Sequence, residues 1–115
     1  LSALSPVDVG QGCAVAGGLC LGIETLQGTD ATLRFVGETP EALRRGQTGV
    51  YVKAAKRGQD LRVDMPAVGP ATIDAVAATG LAGLVIEAGR VMVLERAETL
   101  AKAEALGVFL SVRDA

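Results

Sequence analysis

Two short apolar runs joined by a pair of glycines constrain the fold of this chain more than any other feature. The runs cover residues 13–16 and 19–24, and Gly17 and Gly18 lie between them. Because glycine adopts positive φ angles without steric cost, the pair predicts a β-hairpin with a two-residue turn. The chain is therefore expected to begin its ordered structure with two antiparallel strands.

The two cysteines lie one on each strand of this hairpin. Its register places Cys20 opposite Val15 and not opposite Cys13. A direct disulfide would therefore have poor geometry, and we expect both cysteines to be small buried thiols in a reducing compartment.

Strand-like and helix-like segments alternate along the rest of the chain. Apolar spacing and glycine or proline breaks predict helices at 29–36, 70–79 and 96–106, and strands at 50–53, 60–65, 84–87, 91–94 and 108–112. The strands at 84–87 and 91–94 are expected to pair with each other across a short turn. The order is roughly ββαββαββαβ, which predicts an α/β fold over residues 1–115, a single domain with a mixed β-sheet and helices packed on it.

The last predicted helix has an apolar face and a charged face. Leu100, Ala103 and Leu106 recur at helical spacing, and we expect them to point inward. Glu98 and Lys102 are four residues apart, which favours an ion pair on the exposed side.

Composition excludes several classes of function. The 115 residues carry 11 basic and 13 acidic side chains, and the net charge of −2 argues against a general nucleic-acid binder. The absence of histidine removes Ser-His-Asp and Cys-His catalysis as well as histidine-bound zinc. Any metal would therefore be bound by oxygen, which favours Mg²⁺, Mn²⁺ or Ca²⁺.

The segment 60–65 alternates charged and apolar residues without a fault. A strand with this pattern places Asp60, Arg62 and Asp64 on one face. Arg62 could bind phosphate oxygens while a flanking carboxylate holds Mg²⁺ or positions a water. A solvent-facing strand with local ion pairs explains the same pattern, and spacing alone favours that interpretation.

Three further features are candidates for chemistry. Lys53, Lys56 and Arg57 form a basic patch with Arg62, which either an anionic substrate or a solvated loop explains. The segment 28–30, Gly-Thr-Asp, lies at the start of the first predicted helix. Thr29 could cap the helix, the helix start could bind phosphate, and Asp30 could cap the helix or bind a metal; as a lone motif it favours simple capping. Glu24 and Glu87 each end an apolar strand, where a hydrogen-bonded strand end is commoner than a catalytic group.

Taken together, these motifs resemble one known family. The segments 8–11 (DVGQ), 24–30 (ETLQGTD), 53–56 (KAAK), 58–70 (GQDLRVDMPAVGP) and 81–89 (LAGLVIEAG) occur in the order found in the C-terminal domain of the LpxI-type UDP-2,3-diacylglucosamine pyrophosphatases. The resemblance covers nearly the whole chain, and its most specific part is the segment 58–70.

The resemblance implies an activity and a setting. The family hydrolyses the pyrophosphate of UDP-2,3-diacylglucosamine to UMP and 2,3-diacylglucosamine 1-phosphate in lipid A biosynthesis of Gram-negative bacteria. It depends on a divalent cation, Mg²⁺ or Mn²⁺, and works in the cytoplasm, peripheral to the inner membrane. Family members also have an N-terminal domain that is not within these 115 residues. A homodimer is a further expected partner, and nucleic acid is not.

The resemblance also suggests roles for individual residues. The three aspartates that match the family motifs are Asp30, Asp60 and Asp64. We expect Asp60 and Asp64 to be catalytic, dividing water orientation and metal binding, and Asp30 to share the metal with Asp64. The residues expected to bind substrate are Lys53, Lys56, Arg62 and Thr29. Two other functions remain open, a non-catalytic domain that binds a nucleotide or lipid headgroup and a structural dimerisation domain.

Overall fold

The structure, a computed structural model, describes residues 11–44, 46–55 and 66–114. Seven strands and four helices lie in these ranges. In chain order they are β1 Gly12–Ala16, β2 Leu19–Ile23, α1 Thr29–Gly37, α2 Glu41–Arg44, β3 Val50–Lys53, β4 Ala67–Val68, α3 Pro70–Ala78, β5 Gly83–Glu87, β6 Met92–Val93, α4 Arg96–Leu106 and β7 Phe109–Arg113.

The main sheet has five described strands in the order β2-β1-β3-β5-β7. β1 is antiparallel to both β2 and β3, whereas β3, β5 and β7 are parallel to one another. Parallel neighbours need long crossover connections, and α3 and α4 supply them between β3, β5 and β7. The helices pack on this mixed sheet, so the predicted α/β class is confirmed, while the predicted strand at 60–65 lies outside the described residues.

The hairpin follows the prediction from its glycines. Gly17 and Gly18 have φ angles of +57° and +80°, which a two-residue turn requires. Cys20 pairs with Val15 as expected, whereas Cys13 lies opposite Ile23. Both cysteines are free, but Cys13 is only partly buried and Cys20 is exposed, so the expected burial is partly confirmed for Cys13 and wrong for Cys20. It is exposed because β2 is the edge strand of the sheet.

The expected pairing of 84–87 with 91–94 is wrong. Both edges of β5 are occupied, one by β3 and the other by β7. β6 therefore has no place beside β5 and pairs in parallel with β4 in a second, two-stranded sheet. Backbone hydrogen bonds from Met92 to Pro66 and from Leu94 to Val68, both 2.8 Å, extend this pair.

The core lies between the sheet and the layer formed by α1, α3 and α4. Its largest fully buried side chains include Leu33 of α1, Tyr51 of β3, Ile73 of α3 and Leu84 of β5. The bounds predicted for α4 are confirmed, and Gly107 ends the helix in the left-handed conformation with φ +70°.

The face that α4 buries differs from the prediction. Ala103 is buried as expected, but Leu100 and Leu106 are 45% and 46% exposed. Thr99 is fully buried instead, and its hydroxyl donates to the Leu94 carbonyl over 2.7 Å. Because α4 packs closely against α3, its small residues are the ones that fit between the two helices. Lys102 bonds Asp74 of α3, not the expected Glu98.

Candidate functional site

The carboxyl ends of the three parallel strands meet at one edge of the main sheet. Lys53 ends β3, Glu87 ends β5 and Arg113 ends β7. The antiparallel β1 begins at the same edge, because Gly12 pairs with Lys53. Open α/β sheets bind their ligands outside the carboxyl ends of their strands, so this edge is where the fold favours a site.

Four polar side chains converge there, and we call them the Glu24 cluster: Glu24, Thr29, Tyr51 and Lys53. Glu24 directly follows β2, and its backbone N–H donates to the Gly12 carbonyl over 2.8 Å. Tyr51 and Lys53 are two residues apart on β3, so they project from the same face of the strand. Thr29 is the first residue of α1. Three separate elements therefore deliver these groups to one point.

Hydrogen bonds join all four side chains. The Glu24 Oε2 atom accepts from the Tyr51 hydroxyl over 2.7 Å and from the Thr29 hydroxyl over 2.9 Å. The Lys53 Nζ atom donates to Thr29 Oγ1 over 2.6 Å, and lies 3.4 Å from Glu24 Oε2 and 3.5 Å from Oε1. The lysine is therefore closest to the neutral hydroxyl, and its ion pair with the carboxylate is long.

The donor and acceptor inventory fixes the direction of these bonds. An ammonium group donates and cannot accept, so the Thr29 oxygen accepts from Lys53 and the Thr29 hydroxyl proton points to Glu24. An ionised carboxylate only accepts, so Tyr51 also donates to Glu24. The cluster is consistent with a charged lysine, a charged glutamate and a neutral tyrosine.

Burial makes this cluster costly to disturb. Glu24 is 7% exposed, Lys53 is 5% exposed and Tyr51 is fully buried. Removing one partner of a buried ion pair leaves an uncompensated charge, which typically costs about 3–5 kcal/mol. Burial, then the hydrogen bond and the negative charge of Glu24, raise the pKa of Tyr51, so the phenol stays protonated.

Gly12 leaves the space that the cluster occupies. A Cβ atom at this position would lie 2.5 Å from the Tyr51 hydroxyl oxygen and 2.8 Å from Glu24 Oε2. Any residue with a Cβ atom at this position would therefore displace the Tyr51 hydroxyl and the Glu24 carboxylate, which share the shortest bond to that carboxylate.

Two of the predicted substrate-binding residues, Thr29 and Lys53, meet in this cluster. The expected capping role of Thr29 is wrong, because Gly28 is the N-cap of α1 and makes no side-chain capping bond. The Thr29 hydroxyl bonds Glu24 instead. Asp30, the predicted metal ligand, lies in the first turn of α1 and is exposed. It lines an open groove between α1 and α3 and not the cluster.

The remaining predicted site residues lie outside the described residues, and their roles remain predictions. These are Lys56, Asp60, Arg62 and Asp64, together with Arg57 of the basic patch. Ala55, the last described residue before them, follows β3 at the same sheet edge.

Glu87 hydrogen-bonds the backbone directly after β3, at this sheet edge. Its Oε1 atom accepts from the Ala55 backbone N–H over 3.3 Å and from Arg90 Nε over 3.1 Å. The Ala54 N–H donates to the Gln11 carbonyl over 2.8 Å on the other side of β3. The hydrogen-bonded strand end expected for Glu87 and Glu24 is therefore present in both.

Sequence reasoning did not select Tyr51 as a functional residue. The available signal was its position two residues before Lys53 on a predicted strand, which places both side chains on one face. Glu24 was noted as a strand-end carboxylate, but its contacts with Tyr51 and Lys53 span 27 and 29 residues of sequence. Such contacts depend on how the strands pair, which residue spacing does not specify.

The described residues do not by themselves fit a metal ion. In the ranges 11–44, 46–55 and 66–114, no group of three or more Cys, Asp or Glu side chains could hold one. The Glu24 carboxylate is already engaged by two hydroxyls and an ammonium group. Among the described helices, none combines the length and the apolar character needed to cross a bilayer.

Comparison with known proteins identifies the family. The family model described as "LpxI C-terminal domain" matches residues 1–111. The chain belongs to the LpxI C-terminal domain family. Over 107 residues it is 48% identical to the UDP-2,3-diacylglucosamine pyrophosphatase LpxI of Caulobacter vibrioides. The resemblance seen in the sequence motifs is thereby confirmed.

The match to the Caulobacter LpxI covers the two proteins unequally. It includes 90% of this chain but only 38% of the curated relative. The described cluster thus belongs to the C-terminal part of the LpxI architecture, and the relative has a large additional region that this chain does not match.

Proposed function

We propose that this chain contributes the catalytic domain of an enzyme that hydrolyses UDP-2,3-diacylglucosamine to UMP and 2,3-diacylglucosamine 1-phosphate. The 48% identity to a relative named for this pyrophosphatase activity is the observation that carries the proposal. The meeting of Thr29 and Lys53 at the carboxyl edge of the sheet supports it, because a hydroxyl and an ammonium group suit a phosphate-bearing substrate.

The reaction needs charge neutralisation, positioning and an oriented water. A water oxygen bonds to one phosphorus, the bridging P–O bond breaks, and its electron pair leaves with the second phosphate. The water's protons pass to a base and to solvent. Lys53, Lys56 and Arg62 would neutralise the phosphate charge, while Thr29 would hydrogen-bond a phosphate oxygen.

Asp60 and Asp64 would divide the orientation of the water and the binding of a divalent cation. Asp30 would share that cation with Asp64. Mg²⁺ or Mn²⁺ would supply charge neutralisation at the diphosphate. The described residues alone do not form a site for this ion.

The domain would act within a longer protein. The unmatched part of the Caulobacter relative's length supports an additional domain on the N-terminal side as a partner in building the substrate cleft. The enzyme would serve lipid A biosynthesis from the cytoplasm of a Gram-negative cell, contacting the inner membrane through its lipid substrate. Sedimentation of the gene product would test the expected homodimer.

The test is UMP release by the gene product expressed in full, with and without Mg²⁺. Asp60→Ala and Asp64→Ala should each lower kcat by at least about 100-fold, the usual size of a lost acid–base contribution. Glu104→Ala is the matched control, because Glu104 is an exposed carboxylate on α4. Near-normal turnover by both aspartate variants would remove them from the mechanism, and equal turnover in excess chelator would remove the cation.

A further inference from the structure

We infer that Tyr51 and Glu24 are positioning residues, which hold the Lys53 ammonium group against the Thr29 hydroxyl and away from full pairing with the carboxylate. The inference rests on the proposed function for its catalytic consequence, because Lys53 and Thr29 are the groups proposed to bind the diphosphate. Its structural part, the placement of Lys53, stands on the contacts of the cluster alone.

The contacts of Lys53 differ from those of an ordinary buried ion pair. A buried ammonium group beside a carboxylate would normally approach it to within 2.7–2.9 Å, a distance typical of charge-assisted bonds. Here the Lys53 nitrogen lies 3.4 Å and 3.5 Å from the two Glu24 oxygens, and 2.6 Å from Thr29 Oγ1. Another group therefore keeps the Glu24 carboxylate from approaching the Lys53 nitrogen more closely.

Tyr51 is the group that does so. Its hydroxyl donates to Glu24 Oε2 over 2.7 Å, and the Thr29 hydroxyl donates to the same oxygen over 2.9 Å. One donor lies on β3 and the other on α1, and both compete with Lys53 for the Oε2 atom. Tyr51 is fully buried, so it cannot touch a substrate, and its influence must pass through Glu24.

The lysine consequently keeps donor capacity for another partner. One of its three N–H groups donates to Thr29. The long contacts to Glu24 account for at most one more N–H group. Among the described residues, the third has no acceptor within hydrogen-bond distance. A phosphate oxygen is an acceptor that fits this group, and Glu24 places a negative charge beside the buried ammonium group.

The first experiment compares Tyr51→Phe with Thr99→Val in the gene product expressed in full. Both variants remove one buried hydroxyl, but the Thr99 hydroxyl donates to the Leu94 carbonyl and bonds none of the four residues of the Glu24 cluster. We expect Tyr51→Phe to lower kcat for UMP release about tenfold with KM changed less, the loss expected for one hydrogen bond to a charged group. Thr99→Val should retain kcat.

The second experiment needs no turnover. Lysine acylation by acetic anhydride, followed by mass spectrometry, gives the reaction rate of Lys53 relative to Lys102, which lies on the surface of α4. We expect Tyr51→Phe to change the relative rate of Lys53 several-fold because the lysine moves, and Thr99→Val to leave it unchanged. If the melting temperature falls by the same amount in both variants, a difference between their Lys53 acylation rates does not come from general destabilisation.

The two experiments separate the possible failures. If the wild-type protein releases no UMP, the proposed function fails, and the acylation rates alone decide whether Tyr51 positions Lys53. If Tyr51→Phe leaves the acylation rate of Lys53 unchanged, the positioning is refuted. If the rate changes while kcat and KM stay at wild-type values, the catalytic consequence is refuted.

Discussion

Two lysine–carboxylate pairs in this chain differ in nearly every physical respect. Lys102 on α4 approaches Asp74 on α3 to 2.7 Å, and both side chains are substantially exposed, at 33% and 54%. Lys53 and Glu24 are 3.4 Å apart, and their side chains are only 7% and 9% exposed. The shorter pair is screened by solvent, whereas the longer one lies in a network with Tyr51 and Thr29.

The comparison shows that burial and partners decide the importance of a pair, not its length. The hydrogen bond to Asp74 raises the pKa of Lys102, but an exposed pair of this kind contributes little to stability. The buried pair has desolvated two charges, so the loss of either partner leaves the other without compensation.

The largest effect is expected from Glu24→Ala. It leaves the Lys53 ammonium group buried without a counter-ion, and the free energy of unfolding should fall by about 3–5 kcal/mol in urea titrations. Asp74→Ala is the matched control, and its midpoint should stay within measurement error of wild type. Equal losses in the two variants would contradict the contrast between the pairs.

Gly12→Ala should have the next largest effect. The added methyl group meets the Tyr51 hydroxyl and the Glu24 carboxylate, so the free energy of unfolding should fall by about 1–3 kcal/mol. Gly37→Ala is the control, because a Cβ atom there would make only an ordinary 3.8 Å contact with Thr79. If the Gly12→Ala protein is as stable as Gly37→Ala, the cluster can accommodate the added methyl group and the prediction is wrong.

A smaller effect is expected at high pH. The folded state keeps the Tyr51 phenol neutral, whereas an unfolded tyrosine ionises near its ordinary value of 10.0. Above that pH the unfolded state therefore loses the proton first, and this contribution to stability falls by about 1.4 kcal/mol per pH unit. Because Tyr51 is the only tyrosine in the chain, Tyr51→Phe should lose stability less steeply above pH 10.0 than wild type. Parallel slopes would contradict the neutral, buried phenol.

Local sequence signals predicted the local structure well. The Gly17–Gly18 turn determined the pairing next to it because a two-residue loop leaves one pairing there, so Cys20 lies opposite Val15 as expected. The register then shifts by one residue between Val15 and Ala14, which the turn does not predict. The bounds of α4 followed from its helical spacing and from Gly107. These features depend on neighbours in the sequence, which residue patterns describe directly.

Contacts between segments that are distant in the sequence could not be predicted in the same way. The predicted strand at 91–94, which the structure shows as Met92–Val93, was expected beside β5. β7 occupies that edge instead, and no pattern in the segment indicates this competition. Thr29 has the residue type of a helix cap, yet a buried carboxylate from the preceding loop binds its hydroxyl more favourably. Two of the predicted substrate-binding residues, Thr29 and Lys53, lie in the Glu24 cluster, and their role stays a prediction. Tyr51 was not predicted because its contact with Glu24 depends on the same non-local packing.

We propose that the Thr29 hydroxyl and the Lys53 ammonium group form the phosphate-binding part of a pyrophosphatase site. Comparing Thr29→Val with Thr29→Ser tests it most directly, because valine keeps the shape and loses the hydroxyl, whereas serine keeps the hydroxyl. In UMP-release assays of the gene product expressed in full, we expect kcat/KM to fall at least about tenfold for Thr29→Val, the cost of one charge-assisted bond, and only a few-fold for Thr29→Ser. Wild-type kcat/KM in the valine variant would contradict the claim.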